Sequence, residues 1–130
     1  CTASATDVAF GSYNALSASP NDAAGCVRVV CTLLLALNGS FTIDLSTGTS
    51  NSYTGRTLRS GANSLVYNLY TSAARTQIWG NGTSSSTRVT QNFAGLLLVD
   101  RTVPVYGRIP AGQNARAGSY SDTIIVTVTY

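Results

Sequence analysis

Apolar and polar positions alternate along most of this chain, and the alternation has the two-residue period of β-strands. CVRVVCTL puts Val27, Val29, Cys31 and Leu33 on one face and Cys26, Arg28, Val30 and Thr32 on the other. The arginine marks the outer face, so Cys31 is expected inward and Cys26 outward. FTIDL alternates in the same way, with Phe41, Ile43 and Leu45 inward and Thr42 and Asp44 outward. TVPVYGRI turns Val103, Val105 and Ile109 inward, and Gly107 leaves room for a neighbour. Pro104 has no N–H for a ladder, which predicts an edge or a bulge there. TIIVTVTY sets Ile124, Val126, Val128 and Tyr130 against Ile125, Thr127 and Thr129. CTASATDVAFGSY alternates through Cys1, Ala3 and Ala5 and then changes phase to Val8 and Phe10. That slip near Asp7 predicts a bulge. SLVYNLYT is apolar on both faces and reads as a central strand.

Segments rich in Gly, Ser, Asn and Pro separate these runs. LSASPNDAAG and PAGQNARAGSYSD read as turns, and STGTSNSYTGRTLRSGANS as loop and edge-strand material. A short hairpin is expected around Gly80-Asn81-Gly82. The count is six main strands at regular spacing, an all-β sandwich pattern one short of the roughly seven strands of an immunoglobulin-like domain. No repeat or linker divides the chain, so residues 1–130 read as a single domain. TIIVTVTY, an apolar strand, has no strand after it.

Composition removes most chemistry. The chain has no His, Lys, Glu or Met, and its charge comes from eight Arg and five Asp. Without His there is no imidazole base and no imidazole metal ligand, and without Lys no amine nucleophile. The Asp residues form no paired or calcium-loop motif, so no enzyme, cofactor or metal is expected. The net charge of +3 is carried by dispersed arginines, which argues against nucleic acid. No segment reaches the twenty or so apolar residues of a membrane span. Trp79 with Tyr67 and Tyr70 offers a sugar-stacking platform, although aromatics in sandwiches are more often core. Asn38-Gly39-Ser40 and Asn81-Gly82-Thr83 match the glycosylation sequon and read better as turns. Asp122 is expected to make turn hydrogen bonds.

Two aliphatic runs break the alternation: CTLLLALNG, with Leu34, Leu35 and Leu37, and FAGLLLVD, with Leu96, Leu97 and Leu98. Both fall at connections that the inferred topology puts at one pole. They read either as strand extensions packed on each other as a lengthened hairpin, or as an apolar pole that meets a neighbouring subunit or a hydrophobic surface.

CTASATDVAFGSY, VRVVCT, FTIDLSTG, YNLYTSAARTQIWGNGT and, most specifically, VYGRIPAGQNARAGSYSDTIIVTVTY resemble the spore coat protein U domain family. Its best-understood members are subunits of archaic, Csu-type chaperone–usher pili. The resemblance implies a pilin-type, incomplete immunoglobulin-like β-sandwich whose missing last strand is supplied by donor-strand complementation. It implies a structural subunit of an extracellular pilus or fibre, polymerising by donor-strand exchange and serving adhesion and biofilm formation. The implied partners are neighbouring copies of the chain, with a periplasmic chaperone and an outer-membrane usher during assembly. The implied location is the cell surface, reached through the periplasm. The groove would be lined by Ile124, Val126 and Val128, with Val8 and Phe10 on the opposite wall. Such subunits carry a donor extension ahead of the first cysteine; this chain starts at Cys1, so it reads as an acceptor more readily than as a donor. By the same resemblance Cys1 pairs with Cys31. Cys26 falls outside the family pattern and reads as a covered free thiol or an intersubunit bridge. A tip adhesin with surface-binding hydrophobic loops and a spore or cell coat protein outside any filament are the alternatives.

Overall fold

The computed structural model describes residues 1–14, 16–114 and 116–129, with the side chains of 33–37 and 95–97 also outside the described set. Seven strands are found among the described residues: β1 (Thr2–Thr6), β2 (Asn21–Leu45), β3 (Thr57–Ser60), β4 (Asn63–Val66), β5 (Asn68–Tyr70), β6 (Val89–Ile109) and β7 (Val126–Thr129). All pairings in the two sheets are antiparallel. One sheet runs β1-β2-β6-β5 with β7 also on β2, and the other is the β3–β4 hairpin.

Two of these strands are very long, 25 residues in β2 and 21 in β6, and they pair along nearly their whole length. Laid straight, β2 would reach about 80 Å. Yet Val27, Val29, Cys31, Val99 and Val105 from one half of this ribbon share a single core with Phe41, Ile43 and Leu45 from the other. The ribbon therefore folds back on itself. The register shows where: Thr32 faces Leu98 and Gly39 faces Phe93, with shifts between Thr32 and Leu37 and between Leu37 and Gly39. Extra residues on one strand of a pair bend it.

Trp79 holds the two halves together. It is fully buried, its backbone N–H donates to Leu69 O of β5 at 2.9 Å, and its indole N–H donates to Ile43 O at 2.9 Å. Tyr67 is buried beside it in the core, so neither ring is available as a sugar platform.

The inward faces follow the alternation: Val27, Val29, Cys31, Phe41, Ile43, Leu45, Val103, Val105 and Ile109 are all buried. Along the outer face, Arg28–Asp100, Arg108–Asp22 and Arg88–Asp44 form two-bonded arginine–carboxylate pairs. Such forks fix geometry, and here they fix the β2–β6 register. Hydrogen bonds from Arg108 and from Arg28 hold the Asp22 and Asp100 carboxyls below the usual carboxylate range.

Several expectations are corrected. CVRVVCTL and FTIDL are one strand, so the leucine runs are not connections; the backbone of both runs lies inside the paired ribbon. Asn38-Gly39-Ser40 is strand, not a turn. Gly39 serves close approach, because a Cβ there would lie 2.7 Å from Phe93 Cζ. SLVYNLYT divides at Tyr67, whose N–H donates to Arg56 O, and β5 is the outer strand of its sheet rather than a central one. The merge and the split leave six, and β3, from the segment read as loop and edge-strand material, makes seven. Pro104 lies in β6 opposite Cys26, where β5, which pairs only with Tyr106–Arg108, no longer covers the strand. Residues 81–86 form a turn closed by Gly80 N–H to Thr87 O at 2.9 Å and Thr87 N–H to Ile78 O at 2.6 Å, without a hairpin ladder. Asn81 Oδ1 accepts from Thr83 N–H at 3.0 Å, and Gly82 takes φ +85°.

Candidate functional site

β1 and β7 lie on the same edge of β2, along its two halves: β1 on Cys26–Val30 and β7 on Thr42–Leu45. When the ribbon folds, they come to face each other across a seam. Each pairs with β2 alone among the described residues, so each presents an open edge of N–H and C=O groups. Both run antiparallel to β2, and β2 reverses direction between its halves. β1 and β7 therefore point in opposite directions, and a strand entering between them is parallel to one and antiparallel to the other.

The seam is hollow. A groove of about 1070 Å³ is lined by Val8, Phe10, Ile124 and Val126 at its sides, with Val27, Leu45, Leu69, Val105 and Ile109 at its base. A smaller cavity of about 230 Å³ continues it between Cys1, Ala3, Val29, Val126 and Val128. Val126 borders both. All five residues expected to line a groove are thus brought to one seam.

Local chemistry explains each wall. In β7 and the two residues before it, Ile124, Val126 and Val128 are half-buried and Ile125, Thr127 and Thr129 exposed, as the alternation predicts; Tyr130 lies outside the described residues. The opposite wall is not a strand. β1 stops at Thr6, and the chain crosses onto the inner face of β6, where a Cβ on Gly107 would sit 2.7 Å from Phe10 Cζ and 2.9 Å from Val8 Cγ1. The neighbour that Gly107 admits is this crossing segment. Phe10 meets Tyr67 edge-on at 6.0 Å, and Asn21 Nδ2 donates to Phe10 O at 3.0 Å.

The Cys1–Cys31 disulfide is present and ties the start of β1 to the buried face of β2. Cys26 is a free, half-buried thiol whose Sγ donates to Thr6 Oγ1 at 3.4 Å, on the rim of the groove. Of the two leucine runs, Leu34, Leu35, Leu37, Leu96 and Leu97 have side chains outside the described residues; Leu98 is 58% exposed.

One group escaped the sequence reading and another does more than it expected. Arg56 is fully buried and donates to Ser46 O, Trp79 O and Asn68 Oδ1; burial pushes its pKa down. Asp122 does more than close a turn. Its Oδ1 accepts from Thr49 N–H, Thr49 Oγ1 and Thr123 N–H, and its Oδ2 accepts from Tyr67 O–H at 2.6 Å. Burial, then this bond, raises the Tyr67 pKa and keeps the phenol a donor. The one legible signal was Asn68, a polar residue inside an apolar stretch. No group of His, Cys, Asp or Glu able to hold a metal occurs among the described residues. The seam offers backbone groups and apolar sockets, the means of gripping an extended segment.

The chain matches the profile of the Spore Coat Protein U domain over residues 1–127. It is similar to Protein U of Myxococcus xanthus, with 36% identity over 110 residues, covering 82% of this chain and 59% of that protein. It thus spans about three fifths of the length of this curated relative. In fold it is similar to a chain of the CsuC–CsuE chaperone–tip adhesion subunit pre-assembly complex from the archaic chaperone–usher Csu pili of Acinetobacter baumannii. That likeness has a TM-score of 0.54 at 18% identity and covers 99% of this chain and 40% of the other.

Proposed function

The chain belongs to the spore coat protein U domain family, and on that premise we propose that it is a structural subunit of an extracellular chaperone–usher type fibre. In this reading the fold is an incomplete immunoglobulin-like sandwich, and the seam between β1 and β7 is where the missing strand enters. A periplasmic chaperone occupies the seam first, and a neighbouring copy replaces it at the usher. The observation that carries the reading is the pair of open, oppositely directed strand edges flanking two cavities with apolar floors that meet at Val126. Unpaired edges invite strand addition, and alternate sockets choose the side chains that fit. The disulfide suits an exported protein. A role in adhesion and biofilm formation follows from display on such a fibre. The seam acts by binding, so no enzymatic step is assigned.

Negative-stain microscopy of native cell-surface material tests this. Filaments with a one-subunit repeat, lost in the Val126→Asp variant, are the expected result. Amorphous layers or isolated chains would overturn the filament and favour a coat protein outside any filament, as the family's name suggests. A rare subunit found only at fibre ends would make it a tip adhesin.

A further inference from the structure

We propose that Arg56 is the positioning residue of the seam: acting through Ser46, it holds β7 at the spacing that lets another strand enter. The proposal rests on the strand-accepting reading above. Among the described residues Arg56 has no carboxylate within hydrogen-bond or ion-pair distance, and its burial costs desolvation. An apolar side chain would fill the same space. What it would lack is the planar fork of donors, which demands acceptors in fixed places.

Those acceptors come from three separate parts of the chain. Nε and Nη2 donate to Ser46 O at 3.1 and 2.7 Å, Nη2 to Trp79 O at 2.7 Å, and Nη1 to Asn68 Oδ1 at 2.9 Å. Ser46 leaves β2 directly after Leu45, and Asn68 opens β5 between Tyr67 and Leu69. Leu45, Tyr67 and Leu69 all line the groove. Arg56 therefore ties together the backbone beneath the groove without touching the groove itself.

Ser46 carries the constraint to β7. Its N–H donates to Ile125 O at 3.0 Å, and its Oγ accepts from Ile125 N–H at 2.8 Å. Both backbone polar groups of Ile125 are thus taken by one residue, flanked by the groove-lining Ile124 and Val126. Beyond that point β7 has four paired residues on a single edge. A shift of Ser46 moves Ile124 and Val126 relative to Val27 and Val105 across the groove.

Hydrogen exchange on the isolated, disulfide-intact chain tests this, comparing Arg56→Met and Arg56→Lys with the wild type. In Arg56→Met the amides of residues 125–129 should exchange about ten-fold faster while those of 27–31 keep their protection, with Arg56→Lys between. Protection lost evenly across both segments, or unchanged in both, would overturn the proposal. If Arg56→Met does not fold, Arg56→Lys, which keeps the charge but not the planar fork, carries the test, and faster exchange confined to 125–129 or its absence decides the matter. Uptake of a synthetic peptide of alternating valine and threonine, flanked by lysines, separates the two readings. Uptake by the wild type that slows in Arg56→Met supports both. No uptake by the wild type sinks strand acceptance, while the exchange data still decide what Arg56 holds.

Discussion

The β2–β6 ribbon and the β1/β7 seam are built from the same alternating residues and are left in opposite states. In the ribbon each strand has a long partner, three arginine–aspartate forks fix the register, and the inner face closes around Trp79. At the seam the strands are five and four residues long, each has one open edge, and their apolar residues border cavities. The contrast teaches that apolar alternation predicts which way a side chain points, not whether anything covers it. A ribbon satisfied within the chain gives stability; in the proposed function, the open seam is where a strand would bind.

The difference can be broken from the ribbon side first. Trp79→Ala removes the largest buried side chain and the bond to Ile43 O, and should cost about 3–5 kcal/mol in urea unfolding. A loss below about 1 kcal/mol would mean that the halves of the ribbon do not depend on this ring. Next comes the tie between the two regions. Replacing Cys1 and Cys31 together by Ala opens a loop of sequence separation 30 and should cost about 3–4 kcal/mol by loss of the chain constraint. Exchange should rise most in β1.

On the seam side, Val126→Asp should leave unfolding within about 1 kcal/mol of the wild type, since Val126 is half-buried beside a cavity. Under the proposed function, the assembly of fibres should nonetheless stop. A large loss of stability would place Val126 in the closed core and erase the distinction. The smallest effect is electrostatic. Asp22 and Asp100 have pKa values lowered in the folded chain by Arg108 and Arg28. Such carboxylates add stability above their unfolded pKa and lose it as pH falls through the folded one. Unfolding titrations should show a slight, salt-screened loss below about pH 4 and none between about pH 6 and 8. Asp22→Asn should reduce that acid-side loss.

Much of the ribbon was legible because a period of two survives wherever one face is buried. Arg28 marked the outer face of β2 correctly, and Gly107 announced a close neighbour. The length of β2 and β6 was not legible. A continuous run such as Leu33–Leu37 has no period, and Asn38-Gly39 imitates a turn whose glycine instead makes room for Phe93. The seam was half legible: β7 showed its face by alternation, whereas Val8 and Phe10 looked like a strand and form a crossing segment. Arg56 was hidden because an arginine in a Gly, Ser and Asn loop reads as solvated. Its burial depends on carbonyls at Ser46 and Trp79 that only the folded chain brings together.

The most direct measurement is residue-level hydrogen exchange on the chain in its native assembly against the isolated chain. The account predicts new protection along residues 2–6 and 126–129, with the ribbon amides of 27–31 and 99–105 unchanged. If the seam exchanges as freely in the assembly as alone, and the new protection falls instead around Leu98, the seam is not the contact and strand acceptance is contradicted.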